Sequence, residues 1–455
     1  MTSRFHRTIL FSSFHVLILR NLLAPVIPLL VKKGVRLVLV APDYKKEYFE
    51  SQLKDWGVLV EGVRSYEFSK SFFGLFFKRL SRAILDTDTV RIRMRYKYEI
   101  EHRRFAYWFF VLPARILGHF SWCVRLVRFL DYALAPRKGY FFPVFARHRP
   151  DLIVVGDANN ENDVALLHDA KRAGIKTLAV VRSWDNVTNY LIRSPPDRLI
   201  VGNETMKQEI ADWHGIPAER VSVCGIPYFD RYLKGPGVLR EDFFKSFGLD
   251  LQKKLILYGP VADYRIREND VDPYVIELLA RTGENVLVRL PPAVPVSVER
   301  GRYPENVFFD QSGKTFFHRG DSELTPEDDE RLIAELSYCD MVVSGPGTLN
   351  IDASFFDKPI ILVNFYPVPR SFLEGIKEYG YTHIRPILSS GGVRMASRPE
   401  ELFALIRAYA HNPSMDQEGR RRIVAEHCFS PDGHAAERVA QTILHTVSNY
   451  GKGED

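Results

Sequence analysis

Residues 340–364 read DMVVSGPGTLNIDASFFDKPIILVN, and this stretch decides the fold. An apolar run, Met341 to Val343, enters the turn Ser344-Gly345-Pro346-Gly347-Thr348. A helix-like segment follows, ended by Lys358-Pro359, and Ile360 to Val363 is a second apolar run. Strand, turn, helix, strand is one βαβ unit, with its turn at the carboxyl end of the first strand. Glycines there let the backbone approach a ligand, and a helix start offers unpaired N–H groups and partial positive charge. A phosphate or diphosphate fits that description, although an ordinary βα turn has the same spacing.

Outward from this unit, Leu255 to Tyr258 opens the same sheet and runs into Gly259-Pro260. Val286 to Leu290 carries Arg289 toward Pro291-Pro292. Upstream, a linker-like Lys234-Gly235-Pro236-Gly237 places a domain boundary, giving an expected second domain over 236–430. The first domain, 1–235, shows the same rhythm. Arg7 to Ser13 and Val35 to Asp43 read as strands around a helix Leu19–Lys33 that Pro25 and Pro28 should kink. Further strands are Leu152 to Val155, Lys176 to Val181, Asp197 to Val201 and Val221 to Cys224. Loops at strand carboxyl ends line the crevice of a doubly wound sheet. Those loops carry His15, Asp157 and Asp185. A carboxylate there suits a general base or a sugar-hydroxyl acceptor; helix caps and turn residues are the alternative readings. A terminal helix within 431–455 is expected to pack back on the first domain.

At 455 residues, two or three domains are expected. Four scattered cysteines fit a reducing compartment, with neither a disulfide framework nor a zinc site. The start of the chain carries no secretory signal pattern. Charge is uneven: residues 64–150 hold 18 Lys/Arg against 6 Asp/Glu, whereas residues 151–455 hold 35 against 45. The segment 64–150 is also dense in aromatics, as in RIRMRYKYEIEHRRFAYWFFVLPARIL, and interrupts the first domain as a basic aromatic helical insertion. Its longest uncharged apolar run, Phe105 to Ala114, is too short to span a bilayer, which takes about 20 residues. Arginine beside Phe, Trp and Leu suits a helix lying on anionic lipid. An acidic remainder argues against nucleic acid. Asp86-Thr87-Asp88 has the form of a metal-binding triplet but follows a helix pattern rather than a strand.

With these residues in view, the chain resembles a GT-B glycosyltransferase. More narrowly, it is similar to the group joining UDP-N-acetylglucosamine 2-epimerases, CDP-glycerol glycerophosphotransferases and surface-polysaccharide glycosyltransferases. The stretch VVSGPGTLNIDASFFDKPIIL resembles the donor loop and helix of that group. KKLILYGPVADYR resembles the opening strand of the donor domain, SPDGHAAERVAQTIL the closing helix, and VVGDANN with RSWDNVTN the acceptor-side crevice. The resemblance implies two Rossmann-like doubly wound domains facing a cleft. It assigns Ser344, Gly345, Gly347 and Thr348 to phosphates, Asp352 to ribose hydroxyls and Asn350 to a helping role, with Gly259, Pro260 and Arg289 also on the donor side.

Glycerophosphotransferases carry Trp-His-Gly where this chain has Trp184-Asp185-Asn186, and His-Pro where it has Leu290-Pro291-Pro292. The epimerases have a double-glycine turn and a loop richer in arginine than NFYPVPR. Glycosyl transfer from a nucleotide-diphosphate sugar to a lipid-linked or cell-surface glycan acceptor is therefore expected. Asp185 or Asp157 would be the base, with His15 third. The expectation includes no cofactor, no metal, and a cytoplasmic protein peripheral to the inner face of the membrane, in polysaccharide and cell-envelope biosynthesis. Alternatives are a CDP-glycerol-type polyol-phosphate transferase, a UDP-sugar 2-epimerase-like enzyme, and a catalytically inactive GT-B assembly partner.

Overall fold

The computed structural model describes residues 7–64, 72–135, 139–317 and 321–448. Ser71, at the head of SFFGLFFKRL, and the end of the expected terminal segment, 449–455, lie outside them. The described chain divides into two compact units. One comprises the residues up to Met94, Arg103–Asp230 and those from Cys428 onward; the other comprises Arg95–His102 and Arg231–His427.

In the first unit, seven parallel strands form one sheet: β1 (Arg7–Ser12), β2 (Val35–Pro42), β3 (Leu59–Val63), β4 (Leu152–Val155), β5 (Lys176–Val180), β6 (Arg198–Val201) and β7 (Val221–Val223). Their spatial order is β3-β2-β1-β4-β5-β6-β7. Chain direction across the sheet reverses between β1 and β4, so the switch point lies there. β4 is apolar and buried at every position, as a strand covered on both faces must be. Aspartates pin the strand starts: Asp151 Oδ2 accepts the Thr8 N–H (2.8 Å), and Asp197 Oδ2 accepts that of Thr177 (2.8 Å). The predicted helix after β1 begins with a turn of π-helix, Leu19–Leu23, continued by Ala24–Val31. The wide turn just ahead of Pro25 and Pro28 accommodates their missing N–H groups. Helix Ala435–Ser448 belongs to this unit and lies against Ala24–Val31.

The second unit repeats the plan with β8 (Leu255–Gly259), β9 (Asn285–Leu290), β10 (Val307–Gln311), β13 (Met341–Ser344), β14 (Ile360–Val363) and β15 (Arg394–Ala396), in the order β10-β9-β8-β13-β14-β15. Short β11 (Lys314–Thr315) and β12 (Ser322–Glu323) pair separately. The switch point falls between β8 and β13, where Ser344 is in register with Gly259. Asp340 accepts the Leu255 N–H (2.8 Å) and so locks these two strands at their starts. Helix Pro326–Tyr338, which precedes β13, begins with a full capping box between Thr325 and Asp328.

The insertion forms helices Phe72–Ser81, Asp88–Glu99, a run Arg104–Gly118 with a π-helical stretch at Tyr107–Val111, then Ser121–Leu134 and Phe142–His148. Within the first unit, one face packs inward: Phe77, Ile84, Val90, Val111 and Val124 form a cluster with Leu191. Much of the basic charge is spent locally. Asp86 accepts from Arg115 (2.6 Å) and Arg91 (3.1 Å), so the Asp86-Thr87-Asp88 triplet is an arginine-pairing corner. Arg128 donates to the carbonyls of Ile192 (3.0 Å) and His214 (2.8 Å) and anchors its helix to the sheet side. No single helix is long and apolar enough to cross a membrane among the described residues.

Candidate active site

Each switch point gathers residues that the sequence singles out. In the second unit, Ser344 and Asn350 are buried and staple the turn: Ser344 Oγ donates to Asn350 Oδ1 (2.6 Å), and Asn350 Nδ2 donates to the Gly345 carbonyl (3.0 Å). Their side chains therefore shape the loop, and the backbone from Gly347 to Leu349 is the part open to solvent. At the start of the helix Leu349–Phe355 the N–H groups of Asn350 and Ile351 turn back onto the carbonyls of Gly347 (3.2 Å) and Thr348 (2.9 Å). Gly259 permits the packing beneath the turn. A Cβ there would stand 2.4 Å from Leu349 Cδ2, so a larger residue would have to push that side chain aside. Pro260 follows, half-buried, at the start of the loop 260–270.

That loop is built around Asp272, in the first turn of the helix Val271–Ala280. Its carboxylate accepts the N–H groups of Val261 (2.7 Å) and Ala262 (3.0 Å), the Tyr258 hydroxyl (2.6 Å) and Asn269 Nδ2 (2.6 Å). Four donors on one carboxylate hold Ala262 (φ 73°) and Glu268 (φ 53°) in left-handed backbone, each at a cost of roughly 1–2 kcal/mol. The result is to bring Arg265 onto the turn. Its Nη1 donates to the Pro346 carbonyl, and its Nη2 would lie 3.5 Å from a Cβ on Gly347. Buried Lys377 supports Arg265 by donating to its carbonyl oxygen (2.6 Å). A guanidinium beside a glycine turn and a helix start is the arrangement that holds a diphosphate. Asp352, in the first turn of the following helix, is buried, and its Oδ1 accepts the Tyr232 hydroxyl (3.0 Å).

Arg289 takes a different part from the donor-side role expected of it. Its Nη1 donates to Asp310 (2.9 Å), its register partner on β10, and to fully buried Glu335 (2.7 Å). Even beside that cation, burial pushes Glu335 up to about 8. The guanidinium is thus a structural counter-ion, and Arg265 is the cation at the turn.

In the first unit, His15, Asp157 and Asp185 converge on Arg182. Asp157 is buried; Oδ2 accepts Arg182 Nε (3.0 Å) and Oδ1 the Asn159 N–H (3.1 Å). Asp163, also buried, accepts the Asp157 N–H (3.1 Å), and burial raises its carboxyl well above the ordinary range. Asp157 is thereby a member of the scaffold. Asp185 is half-buried, and its Oδ2 accepts Asn189 Nδ2 (3.2 Å). With the Asn186 amide oriented to satisfy both neighbours, it donates to Asp185 Oδ1 (3.2 Å) and accepts from Arg182 (3.2 Å). Both amides act as donors to this carboxylate. His15 feels all of these groups: burial, then Arg182, hold its imidazole down to about 4 against the pull of Asp157 and Asp185. Its Nδ1 accepts the Leu17 N–H (3.3 Å), which leaves the proton on Nε2 and makes the neutral ring a donor. Among the three, Asp185 has the setting of a base.

Sequence reasoning missed Arg182, Arg265 and Tyr232 as participants. Both arginines stand within strand-end loops, two and six residues beyond the last strand residue, which is the one signal that marks them.

No protein-family model and no curated protein sequence matches this chain. Its fold is shared with solved structures. The UDP-GlcNAc 2-epimerase of Methanocaldococcus jannaschii in complex with UDP-GlcNAc and UDP superimposes with a TM-score of 0.53 at 14% identity, over 96% of this chain and 99% of that one. The glycotransferase of kitacinnamycin gives 0.51 at 13% identity, over 97% and 99%. The wall teichoic acid polymerase TagF, soaked with CDPG, gives 0.52 at 11% identity, over 98% and 90%. The protein thus has the GT-B fold: two Rossmann-like domains with parallel sheets of seven and six strands.

Proposed function

We propose that this protein is a glycosyltransferase that moves a sugar from a nucleotide-diphosphate donor to a lipid-linked or cell-surface glycan acceptor. The observation that carries the reading is Arg265 laid on the Pro346 carbonyl beside Gly347, with Asp352 in the first turn of the next helix. Arg265 and the glycine turn at Gly345–Gly347 hold the diphosphate, and Asp352 takes the ribose hydroxyls. In transfer, the bond from the anomeric carbon to the phosphate oxygen breaks and one to the acceptor oxygen forms. Asp185 accepts the acceptor's proton, and Arg265 stabilises charge on the departing diphosphate. On this reading no metal or cofactor is required, because the leaving group is neutralised by the guanidinium and backbone dipoles.

The CDPG and UDP ligands of the TagF and epimerase structures define the first experiment. Calorimetric titration of UDP, CDP and GDP should find micromolar binding for one of them, lost in Asp352→Ala. Incubation with the corresponding sugar or glycerol donors then reads the product: a transferred or hydrolysed sugar supports the proposal, and a transferred polyol phosphate or a C2-epimerised donor replaces it. The acceptor class, with the exposed apolar side chains of the insertion, supports work at the inner face of a membrane.

A further inference from the structure

We infer that the bent helix pair Arg104–Gly118 and Ser121–Leu134 is a preformed docking surface that sits in one leaflet of an anionic bilayer. This deepens the membrane part of the reading above and depends on that reading nowhere else. The two helices meet at 116°, and neither is long and apolar enough to cross a bilayer. Both faces of each helix are apolar, which is the unusual feature. The inner faces supply Val111, Ala114 and Val124 to a buried cluster. The outer faces carry Phe105 (81% exposed), Phe109 (75%), Phe129 (63%), Trp122 (58%) and Trp108 (54%). Their spacing is helical: 105, 108 and 109 on the first helix, 122 and 129 on the second. A solvated helix has no reason to present such rings outward, and contiguous apolar surface of this kind marks an interaction site.

Charge selects the occupant. From Arg103 to Ala135 there are five arginines and a single acid, Asp131, which is buried and faces Arg193 (3.6 Å). Exposed charge within these two helices, at Arg104 and Arg125, is therefore positive. A second copy seated symmetrically would set arginine against arginine, which disfavours a dimer. Anionic headgroups meet that charge while the rings enter the acyl boundary, with Trp at the level of the headgroups. Because the inner faces are already packed, docking requires no refolding.

The test uses the purified full chain and vesicles of phosphatidylcholine alone or mixed with phosphatidylglycerol, without donor or acceptor, so that docking and transfer fail separately. Flotation should recover the protein with the mixed vesicles and at least tenfold less with the neutral ones. The exposed triple variant Phe105→Ser/Phe109→Ser/Phe129→Ser should lose binding at least tenfold with its melting temperature kept. Arg103→Gln/Arg104→Gln/Arg125→Gln should lose the preference for the anionic mixture. In the wild type, lipids brominated on their acyl chains should quench tryptophan fluorescence, and Trp108→Phe/Trp122→Phe should remove most of that quenching. Unquenched fluorescence, or vesicle binding unchanged in the triple serine variant, would overturn the proposal. So would a wild-type dimer that ignores vesicles and that the serine variant dissolves into monomers.

Discussion

The Tyr232 hydroxyl lies 3.0 Å from Asp352 Oδ1, and its ring packs against those of Phe355 and Phe356. The carboxylate proposed to receive the ribose is thus aimed by a tyrosine 120 residues earlier in the chain. A neutral hydroxyl donor orients the carboxylate without cancelling its charge. Tyr232→Phe should weaken nucleotide binding by about fivefold to tenfold, the worth of one hydrogen bond of roughly 1 kcal/mol. Asp352→Ala should cost much more. Calorimetry on both variants checks the order; equal losses would show that Tyr232 does more than aim.

Arg265 separates diphosphate from monophosphate recognition. Arg265→Gln should lower affinity for a nucleoside diphosphate by at least tenfold and barely alter that for the monophosphate. Its effect on turnover should reach about 10²–10³, the scale seen when one transition-state donor is removed. Uniform loss across both nucleotides would place the guanidinium on the ribose or base instead.

Asp185→Asn should reduce turnover by about 10²–10⁴ with donor affinity unchanged, as removal of a general base does. Asp157→Asn should behave differently. It leaves Arg182 without its carboxylate, so the first effect is on thermal stability. A product assay and a melting curve for the pair distinguish base from scaffold.

Arg289→Gln is expected to unfold rather than to starve the enzyme of donor. It leaves fully buried Glu335 without its cation, while Asp310 keeps Arg331 (3.1 Å), a loss of about 3–5 kcal/mol. Urea denaturation measures it, and a stable variant with weakened donor affinity would return Arg289 to the donor site.

His214 gives a pH signature. Its Nδ1 accepts the Ile192 N–H (3.1 Å), its Nε2 faces the Val187 carbonyl (2.9 Å), and burial holds it down to about 3. The unfolded chain binds this proton near the ordinary 6.5, so the folded state loses stability as pH falls from there toward 3. The contribution is about 1.4 kcal/mol per pH unit in that window. His214→Gln should be less stable at neutral pH and flatter on the acid side; a parallel pair of stability–pH curves would contradict the assignment.

How far the fold could be read from sequence follows from where the information lies. Apolar runs ending in glycine, proline and aspartate mark β4, β8 and β13, because a strand buried on both faces has to be apolar throughout. The glycine turn and Asp352 are legible for the same local reason. Arg265 is not, because its position depends on how Asp272 folds the loop behind it, and four donors on one carboxylate leave no local pattern. Arg289 is legible as a strand-end cation, but its carboxylate partners are not, because they arrive from β10 and from helix Pro326–Tyr338. The insertion shows the reverse. Its composition reads directly, but which arginines are spent at Asp86 and which face outward is decided only by packing.

The helix Ala435–Ser448 belongs to the first unit although the whole of β8 to β15 separates it from β7. During synthesis the ribosome therefore delivers every strand of the first sheet early and the helix that lies on Ala24–Val31 last. The second unit, continuous from Arg231 to His427 apart from one short segment, has almost all of its chain before that helix emerges. The first unit must wait with an apolar helix face uncovered, which makes it the half exposed to chaperones and to misassembly on the way to the native state.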